Sequence, residues 1–318
     1  MNRRLLSFCF GFICFNATAQ NMAWPEKSVR VIVPFAAGGA GDVVARIITP
    51  RLSEHFGQTF IVENKLGAGG TIGAELMARS KADGYTLMIG ASSYAANAAL
   101  YKLPYDPIKG VSAVILITRG PFILAVHPSV LPKNLKEFIS YLHQHPDELS
   151  FGSSGTGAVP HLAVELFKQM SKTRMVHIPY KGDSQAISDM LGGHIQVYFG
   201  GPLVLSQHIR SGKLKALAVS TEQRSKISPE LPSISESVPG YSATTWMGMW
   251  APFGTPKEII LQLNQSVSKI LNNPDVDDNF RESGMFSSKN SPEEFNLFIS
   301  QEIAKYQQVV QMGNIRID

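Results

Sequence analysis

One stretch constrains this chain more than any other: residues 29–48, VRVIVPFAAGGAGDVVARII. Val29, Val31, Ile32 and Val33 read as a buried strand, Gly38, Gly39 and Gly41 as a turn, and Asp42 as the opening of a helix. A glycine turn that feeds a helix leaves backbone N–H groups without acceptors. Those groups and the helix dipole favour a small anion such as a carboxylate, so Phe35, Gly38 and Gly39 are candidate ligand contacts. Asp42 is assigned to capping the helix and fixing the turn, because an acid beside an anion is repulsive. An ordinary corner, in which glycine only permits close packing, is the competing reading. A dinucleotide fingerprint is excluded, since its third small residue would fall on Val44.

The design recurs. Residues 152–157, GSSGTG, again read as strand end and small polar turn before a helix carrying His161. The hydroxyls of Ser153, Ser154 and Thr156, with free N–H groups, suit a carboxylate. Pro160 falls in the first helical turn, where its missing N–H costs nothing. The turn is not a nucleophile elbow, because Thr156 stands where glycine is required, and it lacks the Gly-Lys-Ser/Thr ending of a P-loop. His161 reads as a packing or capping histidine rather than a base, since no partner pair is visible. Residues 179–184, PYKGDS, form a third strand-to-helix corner. There Tyr180 would line a cleft, and Lys181 would pair with a ligand acid or with Asp189; a wedged tyrosine and a surface lysine are the alternative. A fourth corner offers Ser92 and Ser93 after an apolar strand, either to a ligand or as a helix cap.

The N-terminus bears on the compartment. Asn2, Arg3 and Arg4 precede an apolar run over residues 5–15, too short to span a bilayer, and Ala17-Thr18-Ala19 fits the small-x-small cleavage rule. A cleavable signal peptide over residues 1–19 is expected, and with it export to the periplasm. Lipidation does not fit, because Phe8 and Ile13 stand before the cysteines. Both cysteines, Cys9 and Cys14, would leave with the leader, which excludes a disulfide, a Cys–metal site and a Cys nucleophile. The formal net charge of +4 contains no dense basic run, so nothing points to nucleic acid or an anionic membrane.

With 318 residues, 44% of them hydrophobic, the chain is long enough for two α/β domains. Strands alternate with helices over residues 29–100, which argues a parallel sheet. Apolar extended runs at 111–118 and 122–126, split by Gly120-Pro121, read as a crossing into a second domain. The alternation restarts there, with helices at 135–145, 158–170, 186–191 and 203–210. Residues 225–242, rich in Pro, Ser and Glu, read as a surface loop, and 246–251 as the return crossing. Helical segments at 256–271, 275–283 and 292–310 close the chain. The expected architecture is a hinged clam: one α/β domain from 20–118 and 246–318, the other from 119–245. Ligands bind such sheets at the C-terminal ends of strands, where loops run into helices. No metal or cofactor constellation stands out; His143 and His145 read as solvent-facing.

As a set, these segments resemble the Bug-type (TctC-like) periplasmic solute receptors of tripartite tricarboxylate transporters. The matching stretches include WPEKSVRVIVPFAAGGAGDVVAR, VENKLGAGGTIGAE, ADGYTLMIG, LYKLPYDPIK, FGSSGTGAVPHLAVELF, HIPYKGDSQAISDMLGGHI, SGKLKALAVS, ELPSISESVPGY, WMGMWAPFGTP and SPEEFNLFISQEIAKY. The resemblance implies a two-domain Venus flytrap of the type II periplasmic-binding-protein architecture. It implies capture of a small carboxylate (a di- or tricarboxylate, an acidic amino acid or an aromatic acid) and delivery to a permease of one large and one small membrane subunit. The family's ligand loops correspond to residues 35–42, Ser92-Ser93, residues 153–156 and Tyr180-Lys181. Two departures stand out: Gly41 where Thr, Ser or Asn is frequent, and Gln196 where Asp is usual. The expectation is therefore a monomeric binding protein, not an enzyme, without cofactor. The alternatives are a sensor feeding a signalling partner and a small-acid hydrolase using Ser154 and His161.

Overall fold

The structure is a computed structural model that describes residues 24–226 and 228–317. The expected leader, its cleavage site and both cysteines lie outside the described residues. β1 (Val29–Val33) runs through the glycine turn into α1 (Ala40–Phe56), β2 (Phe60–Asn64), a 3-10 turn at Ala68–Gly70, α2 (Thr71–Ala78), β3 (Thr86–Ala91), α3 (Ser93–Leu100) and the long β4 (Val111–Pro121). β5 (Ile123–Val126), α4 (Leu135–Gln144), β6 (Ser150–Ser153), α5 (Val159–Ser171), β7 (Val176–Pro179), α6 (Asp183–Leu191), β8 (Val197–Gly200), α7 (Pro202–Arg210) and β9 (Lys215–Val219) follow. β10 (Thr244–Pro252), α8 (Lys257–Ile270), α9 (Pro274–Glu282), β11 (Phe286–Ser287) and α10 (Pro292–Met312) complete the order.

Two sheets result, with strand orders β11-β4-β10-β3-β1-β2 and β7-β6-β8-β5-β9. They are mixed, not wholly parallel as the alternation suggests. β2, β1 and β3 run parallel, as do β7, β6 and β8. The strands that enter each sheet from the other one, β10 in the first and β5 in the second, run antiparallel to their neighbours. A parallel neighbour needs a helical crossover within its own sheet, and a strand arriving from the hinge side has none. Sequence periodicity reports burial, not direction, and so missed this. It also missed β11, which has only two residues. The buried strands read as near-continuous apolar runs because helices cover both faces of each sheet.

The chain passes between the sheets twice, between Pro121 and Ile123 and between Val219 and Thr244. Ser220, fully buried, knits the two passages together. Its N–H donates to Phe122 O and its carbonyl accepts from Ala243 N–H; its Oγ accepts from Phe122 N–H at 2.8 Å and donates to Ala243 O. The segment 225–242 is less superficial than its composition implies. Ile234, Val238 and Tyr241 are buried, and the Tyr241 hydroxyl donates to Ala163 O at 3.0 Å. The three anchors fall at i, i+4 and i+7, an apolar spacing that the surrounding Pro, Ser and Glu mask.

α10 opens with a capping box between Ser291 and Glu294 and lies against α3 and α5. Its Phe295 meets Trp250 of β10 at 5.0 Å, and Trp246 Nε1 donates to Glu302 Oε2 at 3.0 Å. Large aromatic rings thus fix the returning strand under the last helix. Among the described residues no helix is long and apolar enough to cross a membrane.

Candidate functional site

A cavity of about 690 Å³ opens between the two sheets. Gly38 and Ser154, one from each strand-to-helix corner argued above, both line it. So do the first residues of α1, α3, α5, α6 and α7, namely Ala40, Ser93, Val159, Asp183 and Pro202. Helices that begin at the carboxyl ends of strands converge here, as an open α/β sheet requires.

The first corner uses its own donors more fully than the sequence implies. Gly38 (φ +79°) takes a conformation that glycine adopts without strain. Its N–H is not free: it donates to Asp42 Oδ2 at 2.9 Å, and the Gly39 N–H donates to Ala36 O at 3.0 Å. Asp42 is buried off the cavity wall. It also accepts from Arg46 Nε at 2.8 Å and Asn64 Nδ2 at 2.9 Å. The Arg46 guanidinium, with the Gly38 and Asn64 donors, holds the carboxyl at about 2. Asp42 therefore clamps the turn, as the repulsion argument requires, while Gly38 and Gly39 do not offer the N–H groups expected of them. What remains for a ligand is the Phe35 ring and the Ala40 N–H, which precedes the first helical bond, from Val43 N–H to Gly39 O. Gly41 has a reason independent of any ligand: a Cβ there would stand 2.6 Å from Phe35 Cδ2.

At α3 the Ser92 N–H donates to Trp246 O at 2.9 Å, but its side chain makes no cap bond. Ser92 and Ser93 both line the cavity, and no described protein group pairs with either hydroxyl. Asn97, one helical turn on, donates to Gly69 O at 2.8 Å and fixes the neighbouring glycine turn.

At the corner of residues 152–157, Gly157 N–H donates to His161 Nδ1 at 3.0 Å. His161 stacks on His177 at 3.9 Å, and His177 Nε2 meets Ser153 Oγ at 2.7 Å. Ser153 Oγ donates to Gly155 O at 3.0 Å, so the Nε2 proton belongs to His177. Burial, then His177 and Lys168, lowers His161 to about 3; burial, then Lys168, lowers His177 to about 4. Both rings are neutral near pH 7. Ser153 and His161 are buried behind the turn, off the cavity wall, while Ser154 and Thr156 line it with unpaired hydroxyls. The hydrolase alternative fails on this geometry, because His161 spends Nδ1 on the loop and makes no bond to Ser154.

Tyr180 and Lys181 also lie off the cavity. Tyr180 donates to Asp189 Oδ2 at 2.8 Å, while Lys181 is exposed and forms no ion pair with Asp189. The residue of that loop on the cavity wall is Asp183, which accepts from the Tyr198 hydroxyl. Sequence reasoning passed over it, and over Phe122, Met285 and the opening of α7. The Gly200-Gly201-Pro202 run at the end of an apolar strand was a readable sign of another helix start. Gln196, the second departure, is structural: its Oε1 accepts from Ser150 N–H at 3.0 Å and its Nε2 donates to Gly193 O at 3.0 Å.

A cleft between two α/β sheets, walled by helix N-termini and hydroxyls, defines a two-domain solute-binding protein. The family model described as tripartite tricarboxylate transporter family receptor, TctC, matches residues 44–315, and the chain belongs to that family of periplasmic receptors, which are not enzymes. It is similar to Protein BugT of Bordetella pertussis, at 33% identity, over 90% of this chain and 89% of that protein. Among solved structures it is similar to an R. palustris protein with adipate (36% identity, TM-score 0.79, 92% of this chain and 99% of that one). MatC from Rhodopseudomonas palustris with bound malate is similar at 33% identity and TM-score 0.75, over 90% of this chain and 100% of that one.

Proposed function

We propose that the cavity captures a small carboxylate in the periplasm and that the closed protein presents it to the large and small membrane subunits of a tripartite tricarboxylate transporter. One observation carries this reading. The openings of α1, α3 and α5 meet at one cavity that also exposes the unpaired hydroxyls of Ser92, Ser93, Ser154 and Thr156. Helix N-termini and hydroxyls stabilise an anion without a cationic side chain. The adipate and malate in the two related structures support the same ligand class.

Each charge-assisted bond contributes about 1.5–3 kcal/mol. Two or three of them, together with burial of the ligand's apolar surface as the cleft closes, offset the cost of ordering and reach roughly −8 kcal/mol, a micromolar affinity. Because the contacts come from both sides of the cleft, the ligand favours the closed arrangement, with lobes 20–118 plus 246–318 and 119–245 moving about the Ser220 crossing. The mature chain begins after Ala19 and acts as a monomer. Calorimetry of ligand-stripped protein over di- and tricarboxylates, acidic amino acids and aromatic acids should give a micromolar ligand. Binding of none of them at millimolar concentration overturns the reading.

A further inference from the structure

Five helices open on the cavity, and four do so with neutral residues: Ala40, Ser93, Val159 and Pro202. The exception is α6, whose first residue is Asp183. Asp183 is the only charged side chain among the described residues that line the cavity. No Lys, Arg or His among them forms an ion pair with it. Its one side-chain partner is neutral: Oδ1 accepts from the hydroxyl of Tyr198, a fully buried ring. Burial first, and then the Asp183 carboxylate, push that phenol far above its ordinary range, so Tyr198 remains a donor. The carboxylate sits at the positive end of the α6 dipole. Oδ2 makes no bond to any described residue.

We infer that the ligand carries a cationic nitrogen, an ammonium group, in addition to its carboxylate, and that Asp183 selects it. This rests on the carboxylate reading above and narrows it. The carboxylate end lies at α1, α3 and α5, where the helix openings are neutral and the hydroxyls unpaired. At α6 the acid already occupies the dipole, so a second ligand carboxylate there would meet a like charge as the cleft closes and excludes water. An ammonium group at that place gains a charge-assisted bond to Oδ2 instead.

The test is calorimetry of the ligand-stripped mature protein and its Asp183→Asn variant with length-matched pairs. The probes are succinate, glutarate and adipate against γ-aminobutyrate, δ-aminovalerate and ε-aminocaproate, with aspartate and glutamate as branched counterparts. At the chain length that fits best, the ammonium-bearing acid should bind wild-type protein about tenfold or more tighter than the dicarboxylate. Asp183→Asn should abolish that preference, weakening the ammonium acid while leaving the dicarboxylate unchanged or tighter. A dicarboxylate that binds wild-type protein at least as well, with the same ratio in the variant, overturns the ammonium inference and leaves the carboxylate reading standing. Failure of every probe to bind either protein overturns the ammonium inference, and the carboxylate reading falls with it only if tricarboxylates and aromatic acids fail to bind as well.

Discussion

The corners at α1 and α5 look alike in sequence and are built alike in space, yet one is held by charge and the other by neutral rings. In each, the turn glycine gives its N–H to the side chain four residues ahead: Gly38 to Asp42 at 2.9 Å, Gly157 to His161 at 3.0 Å. The first clamp is an ionised carboxylate tied to Arg46; the second is a neutral imidazole stacked on His177. The comparison teaches that a glycine turn before a helix does not automatically offer its glycine N–H groups to a ligand. The helix can take them back through its own first turn. What it leaves exposed differs too, backbone N–H and a phenylalanine ring at α1, hydroxyls at α5.

If the two clamps differ as described, acid should release them in separate pH windows. His161 and His177 titrate near 3 and 4 when folded, against 6.5 for an unperturbed imidazole. The unfolded chain therefore binds protons that the folded chain refuses, and stability falls as pH drops from 6.5 toward 4. The loss should be of order several kcal/mol, read as a shift in urea midpoint with pH. Asp42 contributes stability above 3.8 that disappears only as pH falls toward about 2. Asp42→Asn should leave the upper window intact, and His177→Gln should flatten it. A wild-type profile flat between pH 6.5 and 4 breaks the distinction.

His161→Ala should cost about 3 kcal/mol at neutral pH, because it opens a cavity beside His177 and strips Gly157 N–H of its acceptor. Asp42→Ala should cost less, about 2 kcal/mol, matching the depression of its carboxyl, since Gly38 is exposed and regains water. Equal or reversed costs in urea denaturation would mean that the neutral clamp is not the one built into the core. The smallest effect expected is on binding. Ser154→Ala should weaken the ligand about fivefold, roughly 1 kcal/mol, in calorimetry, whereas Ser153→Ala should act on stability instead.

Much of this molecule is legible in the residues. The strand at Val29–Val33, the helix starts at Ser291-Pro292 and Pro160, and the corners at residues 35–42 and 153–157 follow from local chemistry that needs no distant partner. Ser92, Ser93, Ser154 and Thr156 stand out as small hydroxyls at strand ends, where either a helix cap or a ligand can use them. Lys181 and Tyr180 misled for the opposite reason. Each has the chemistry of a ligand contact, but the nearby Asp189 captures the Tyr180 hydroxyl, and the loop presents Asp183 to the cavity.

The order of apolar and polar residues by itself determined that alternating strands and helices would fold into layered α/β units with glycine-fed helix starts, because backbone hydrogen bonding and side-chain period act over a few residues. The strand directions, the knot at Ser220 and the choice of which donors face the cavity were decided only by the tertiary structure. Each depends on groups separated by tens to hundreds of residues, such as Phe122 N–H and Ser220 Oγ, or Asn64 and Asp42. Whether a polar group is spent inside the protein or left for a ligand is settled by what packs beside it, and that neighbour is seldom next to it in the chain.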